Sequence, residues 1–370
     1  MENSKGLSLP VLGPLRGVRI VEFAGLGPAP FACMLLADMG AEVVRIDRPG
    51  AAAGDPRDLI GRGRTNVALD LKDPQAVEQA LDLLAHADAL VEGFRPGVME
   101  RPGRGPDAVA ARNPALVYGR MTGWGQDGPL ALAAGHDINY IAITGALAAI
   151  GEAGRGPVPP LNLVGDYGGG SLYLAMGLLG AMLEARSTGR GQVVDAAICD
   201  GALSLMSLAQ TQRLREQLRE ERGSNMLDGG APYYGTYKTS DAAYVSLGPI
   251  EPRFFAILCE KLGMPAEWHQ AQNDRSRWPA LRAVIGAAIA RRTRQEWCDL
   301  LDGTDVCFAP VLTLGEAASH PHIRARGGFV ELQGVQHVAP APRFSRTPSA
   351  ARAAMMTGIP EVLRAWREPR

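Results

Sequence analysis

The sequence predicts an α/β protein: a mostly parallel sheet covered on both faces, with a smaller α/β unit after it. Two observations carry this. Short apolar, β-branched runs alternate with helical segments from Val18 to Met121, a spacing that leaves a helix between successive strands and so favours parallel pairing. A Gly229-Gly230 step then follows a densely charged stretch and marks a boundary. The 370 residues supply core enough for about two or three domains.

In chain order, Val18 to Phe23 reads as a buried strand, Gly25-Leu26-Gly27-Pro28-Ala29-Pro30 as a turn into an apolar helix from Phe31 to Met39, and Glu42 to Asp47 as the next strand. Proline suits a helix start, where its missing N–H has no intrahelical partner to lose. The turn imitates a dinucleotide-binding fingerprint, including an acidic residue, Asp47, about twenty positions on. It departs at Pro28 and Pro30, which remove two backbone donors that would meet a pyrophosphate. A nicotinamide cofactor is therefore not expected.

A second round places a strand at Thr65 to Leu71, a helix from Asp73-Pro74 to Ala85 with Asp73 as its N-cap, and a strand at Ala89 to Glu92. Helical turns and loops over Gly97 to Arg112 lead to a strand at Leu116 to Met121. Ser171 to Ala185 is apolar nearly all round and predicts a buried helix; Gln192 to Cys199 predicts a strand. Gly201 to Arg222 changes from apolar to densely charged, which predicts a helix leaving the core for solvent, so residues 201–229 are expected to link a large domain over 1–200 to a small one over 230–329. Within the small domain, strands are expected at Tyr233 to Lys238, Ala243 to Leu247 and Cys307 to Val311, with helices near Arg253 to Leu262, Pro279 to Arg291 and Arg294 to Leu301, and a further short strand follows at Phe329 to Leu332. Pro340 to Pro348 reads as a loop and Gly358 to Glu368 as a helix, and residues 330–370 are expected to rejoin the large domain.

A formal net charge of -1 gives no electrostatic reason for nucleic acid or an anionic membrane as partner. No run has the length of a membrane span. Met1 to Pro10 lacks an apolar core and reads as a short tail, and Arg367 to Arg370 is no peroxisomal signal. Five scattered cysteines, none in a C-x-x-C, fit reduced thiols and a cytoplasmic location. His320-Pro321-His322 has no third ligand nearby, so no metal site is expected. Nor is there a G-x-S-x-G, H-E-x-x-H or Walker A motif, which weighs against hydrolases, metalloproteases and P-loop enzymes.

Two features carry chemistry. Gly135-His136-Asp137 and Asn162-Leu163-Val164-Gly165-Asp166 bracket the nearly uncharged segment Ile138 to Ile150. A histidine and a carboxylate at the two ends of a buried segment can face one reacting carbon from opposite sides, but an aspartate before a glycine run is also an ordinary N-cap and a lone histidine an ordinary core residue. The second feature is arginine at the strand ends: Arg45, Arg48, Arg62, Arg64, Arg95, Arg101 and Arg104. Singly these are surface charges. Together they favour a phosphate-bearing ligand beyond the strand C-termini.

Several segments together resemble the family III CoA-transferase superfamily: Leu15-Arg16-Gly17-Val18-Arg19-Ile20-Val21-Glu22, Ala68-Leu69-Asp70-Leu71-Lys72, Val91-Glu92-Gly93-Phe94-Arg95-Pro96-Gly97 and Gly123-Trp124-Gly125-Gln126-Asp127-Gly128-Pro129. Gly135-His136-Asp137-Ile138-Asn139-Tyr140, Asn162 with Gly165-Asp166, and Gly229 to Tyr234 through Gly248-Pro249-Ile250-Glu251-Pro252 are similar to its branch that racemises 2-methylacyl-CoA thioesters. The resemblance implies a Rossmann-like large domain and an interlocked homodimer whose active site is shared between subunits. It further implies an acyl-CoA substrate with no separate cofactor, His136 paired with Glu251 and Asp166 with Asn162 as the proton-transfer groups, and Arg48, Arg95 and Arg101 along the CoA. The enolate oxygen is expected to meet backbone donors of the Gly165 to Gly170 turn. The alternative within the superfamily is a CoA-transferase with Asp166 as nucleophile; a non-catalytic CoA-binding module ranks last.

Overall fold

A computed structural model of the chain describes residues 13–51 and 54–368. The tail expected over Met1 to Pro10 lies outside the described residues. The chain divides into two compact units, one holding the described residues up to Thr144, Leu161–Leu205 and those from Arg324 on, the other Gly145–Pro160 and Met206–Ile323.

The first unit is built from β1 (Arg19–Phe23), α1 (Pro28–Asp38), β2 (Glu42–Asp47), β3 (Arg64–Ala68), α2 (Pro74–Leu84), β4 (Ala89–Glu92), α3 (Pro106–Arg112), β5 (Val117–Thr122), α4 (Asp137–Ile143), a π-helix (Leu163–Ser171), α5 (Leu172–Thr188), β6 (Val193–Ala197), α6 (Ile198–Leu205), the hairpin β7 (Phe329–Leu332) and β8 (Val335–Val338), β9 (Met355–Met356) and α7 (Ile359–Arg367). Seven strands form one sheet in the order β9-β3-β2-β1-β4-β5-β6. All neighbours run parallel. Alternation along β1 serves both faces: Val18 and Ile20 pack with α1 and α5, Val21 and Phe23 with α2 and α7. Between β1 and β4 the strand order reverses, and the loops after those two strands open the crevice where such sheets bind ligands.

Three expectations change. The strand read through Cys199 ends at Ala197, and Cys199 already belongs to α6. α5 is not buried all round: Leu174, Leu178 and Met182 are covered while Leu172, Met176 and Leu183 are 52%, 62% and 69% exposed, because only one of its apolar sides meets the sheet. The linker expected as one helix is broken at Met206 into α6 and a second helix, Ser207–Leu214, and beyond that runs as turns. Its charged residues give no apolar stripe to hold a longer helix.

The second unit carries a three-stranded antiparallel sheet of Gly235–Lys238, Tyr244–Leu247 and Phe308–Val311 in that order. Helices Pro252–Lys261, Trp278–Ile289 and Arg294–Leu301 close a core around Tyr233, Phe255, Leu258, Trp278, Ile285 and Trp297. Arg222 donates to Ala148 O at 2.9 Å and Arg155 O at 2.6 Å, which ties the 145–160 segment into this unit.

Candidate active site

The first unit brings His136, Asp137, Asn162 and Asp166 together. His136 is the N-cap of α4, and its backbone N–H is taken by Asn139 Oδ1 at 3.0 Å. Trp124 and Tyr140 pack at near right angles with ring centroids 4.7 Å apart, and the Tyr140 hydroxyl donates to Gly135 O, so Tyr140 holds the loop carrying His136. Asp166 sits in the π-helix, a rare geometry that recurs at functional sites. Its glycines permit it: a Cβ on Gly169 or Gly201 would overlap the backbone of the other element, so π-helix and α6 touch main chain to main chain. Ser171 Oγ fastens the turn, its one hydroxyl proton shared between Pro28 O at 2.7 Å and Asp166 O at 3.0 Å.

The Asp166 carboxyl is half-buried, and Asn162 Nδ2 approaches its Oδ2 at 3.5 Å. Burial raises its pKa above the usual carboxylate value, the neighbouring Asp137 carboxylate adds to the rise, and Asn162 and His136 oppose it. His136 itself is exposed, and the segment expected to be buried is not buried throughout: Ile138 is 43% and Ile143 61% exposed. The oxyanion donors expected in the Gly165 to Gly170 turn are partly committed. Asp166 N–H goes to Asp137 and Tyr167 N–H to Asn162 O.

Glu251 belongs to the second unit, where it is exposed and N-caps Pro252–Lys261.

Beyond the C-terminal ends of β1, β2 and β3 lies a cleft of about 610 Å³ whose wall includes Phe23, Arg45, Arg48, Lys72, Phe94 and Arg104. Of the expected CoA arginines, Arg48 lines it, whereas Arg95 and Arg101 are exposed outside its wall, Arg101 donating to Gly97 O at 3.2 Å. Arg62 and Arg64 are structural: Arg62 is paired with Asp38 at 2.6 Å and Arg64 with Glu22 at 3.0 Å, all four side chains almost fully buried. Arg104, in the sequence only one of seven strand-end arginines, lines the cleft as well. It is 7% exposed, its Nε and Nη1 have no hydrogen-bond partner, and burial lowers its pKa. Nothing in its spacing distinguishes it from Arg95 or Arg101.

Among the described residues no group of histidine, cysteine, aspartate and glutamate side chains is arranged to hold a metal, and no helix is long and apolar enough to cross a membrane.

The family model described as CoA-transferase family III matches residues 15–361. A mouse α-methylacyl-CoA racemase is 44% identical over 340 residues, covering 92% of this chain and 88% of that protein. A succinyl-CoA–D-citramalate CoA-transferase of Chloroflexus aurantiacus is 31% identical over 363 residues, covering 90% and 89%. The crystal structure of a CAIB/BAIF family protein from Brucella suis superposes with a TM-score of 0.82 at 24% identity, over 96% of this chain and 99% of that one.

Proposed function

The chain belongs to CoA-transferase family III, and from that premise we propose that it is a racemase inverting C2 of 2-methyl-branched acyl-CoA thioesters. The α-hydrogen of a thioester is weakly acidic, and inversion needs removal on one face and delivery on the other. His136 takes the proton from one epimer and protonated Asp166 supplies one to the opposite face; for the other epimer the roles reverse. The enolate between the two steps is delocalised by the thioester itself. The first two N–H groups of α4, those of Asp137 and Ile138, are the donors we assign to its oxygen; the Asn139 N–H is already bonded to His136 O at 2.8 Å.

The observation that carries this reading is the protonation-favouring environment of Asp166 next to His136. A carboxyl group whose pKa is raised is better suited to giving and taking a proton than an ordinary carboxylate. The higher identity to the mouse racemase than to the citramalate transferase points the same way.

The reading includes a homodimer. The uncovered apolar side of α5 and the exposure of both His136 and Glu251 support a second subunit that covers the one and joins the others. Glu251 of the partner then orients the His136 imidazole, and Asn162 the Asp166 carboxyl. Arg48, Arg95 and Arg101, with Lys72 and Arg104, hold the phosphates of CoA, which is part of the substrate. The test is chiral analysis after incubating one epimer of a 2-methylacyl-CoA with and without an acceptor carboxylate: racemisation indifferent to the acceptor supports the reading, and CoA transfer with C2 unchanged refutes it.

A further inference from the structure

Asp137 follows His136 directly and opens α4, yet its carboxylate crosses to the π-helix, where Oδ2 accepts the Asp166 N–H at 2.6 Å. The residue is 8% exposed, and Oδ1 has no hydrogen-bond partner. An incompletely satisfied buried carboxylate is costly. The chain nonetheless makes room for it: a Cβ on Gly165 would overlap this carboxylate, and the Gly165 backbone is not left-handed, so the glycine serves the close approach alone.

We propose that Asp137 is a positioning residue, tying the His136 loop to the Asp166 helix and setting the charge under which Asp166 works. One residue is bonded covalently to the first base and through its side chain to the backbone of the second. Relative placement of acid and base is worth several orders of magnitude in rate, so a link of this kind acts on catalysis without touching substrate. Its negative charge also opposes ionisation of Asp166. The other groups facing Asp166 are few. His136 favours the ionised form, Asn162 donates to it, and Tyr140 is held neutral by its own raised pKa; behind Tyr140, the Cys199 thiol of α6 is likewise raised. Arg95 acts electrostatically on Tyr140, and α1 presents the uncharged Pro28 and Phe31, the latter stacked on Tyr167. Asp137 is the one anion among them.

The inference builds on the two-base reading, and its test separates the two. Aspartate carboxyls labelled with ¹³C are titrated by NMR in the full-length protein, with Asp166→Asn identifying the Asp166 line. Asp137→Asn keeps an oxygen to accept the Asp166 N–H but removes the charge. The Asp166 midpoint is expected to fall by about one pKa unit, with kcat for epimerisation down about tenfold and KM little changed. Asp137→Ala loses the tether as well and is expected to lower kcat about a hundredfold. An Asp166 midpoint unmoved in Asp137→Asn overturns the inference whatever the racemase assay gives. A wild-type protein that does not epimerise overturns the two-base reading, while the titration still decides the role of Asp137.

Discussion

The guanidinium of Arg104 lies over the ring of Phe23, with Cζ 5.7 Å from the ring centroid; the residue lines the cleft, and its Nε and Nη1 are buried and unpartnered. A buried cation without a counter-charge is destabilising until an anion arrives. Arg104→Ala is therefore expected to weaken binding of CoA about ten- to hundredfold, and Arg104→Lys to restore part of the loss. Titration calorimetry with CoA reads this directly; wild-type affinity in Arg104→Ala would remove the residue from the binding site.

The pH dependence of Asp166 has a defined sign. Its pKa is raised, by burial first and by Asp137 second, so the neutral form is favoured in the folded protein. In the direction where Asp166 delivers the proton, kcat/KM falls as pH rises through that raised value, later than for an ordinary carboxyl group. The same shift costs stability once pH exceeds it: the contribution of Asp166 is fully present below the unfolded value and lost through the folded one. Asp166→Asn is thus expected to melt at or above the wild-type temperature at neutral pH, with the difference shrinking or reversing on acidification. A wild type more stable than Asp166→Asn at neutral pH contradicts the assignment.

His136→Ala is expected to abolish epimerisation, lowering it by at least about a thousandfold, while leaving CoA affinity near wild type because the cleft lies beyond other strands. Measuring both on one preparation separates chemistry from binding. Near-normal turnover in this variant removes His136 from the mechanism.

Arg64 and Glu22 make a structural prediction. Their side chains are fully buried, and Arg64 also donates to Ile60 O at 2.6 Å and Arg62 O at 2.8 Å, which locks the approach to β3 onto β1 across β2. Arg64→Ala leaves the buried Glu22 carboxylate with only the more distant Arg45, 4.0 Å away, and is expected to cost about 3–5 kcal/mol in denaturant unfolding. Arg101→Ala, at an exposed site, is expected to stay within about 0.5 kcal/mol of wild type.

The parallel sheet was legible because each strand is a short apolar run between helix signals. β2 and the helix Arg294–Leu301 fall at their expected residues, the latter opened by the Thr293–Glu296 capping box, a purely local device. β9 was not legible: two residues carry no period, and its pairing with β3 is made nearly the length of the chain away. Arg48 and Arg64 look alike in sequence. What separates them is the Glu22 carboxylate on β1, a partner that spacing does not reveal. Asp137 stood beside His136 on the page with no role, since its partner is a backbone N–H 29 residues on. The glycines from Gly165 to Gly170 signalled a tight turn, but that Gly169 meets the main chain at Gly201 emerges only in three dimensions.

The central claim is two-base proton transfer, and the most direct measurement is to incubate a single epimer of a 2-methylacyl-CoA in deuterated water and follow C2 by mass and chirality together. The account predicts that the inverted epimer carries one deuterium at C2 from its first turnover, with no acceptor acid required. Inversion that retains the original hydrogen, or transfer of CoA to an added carboxylate with C2 unexchanged, would contradict it.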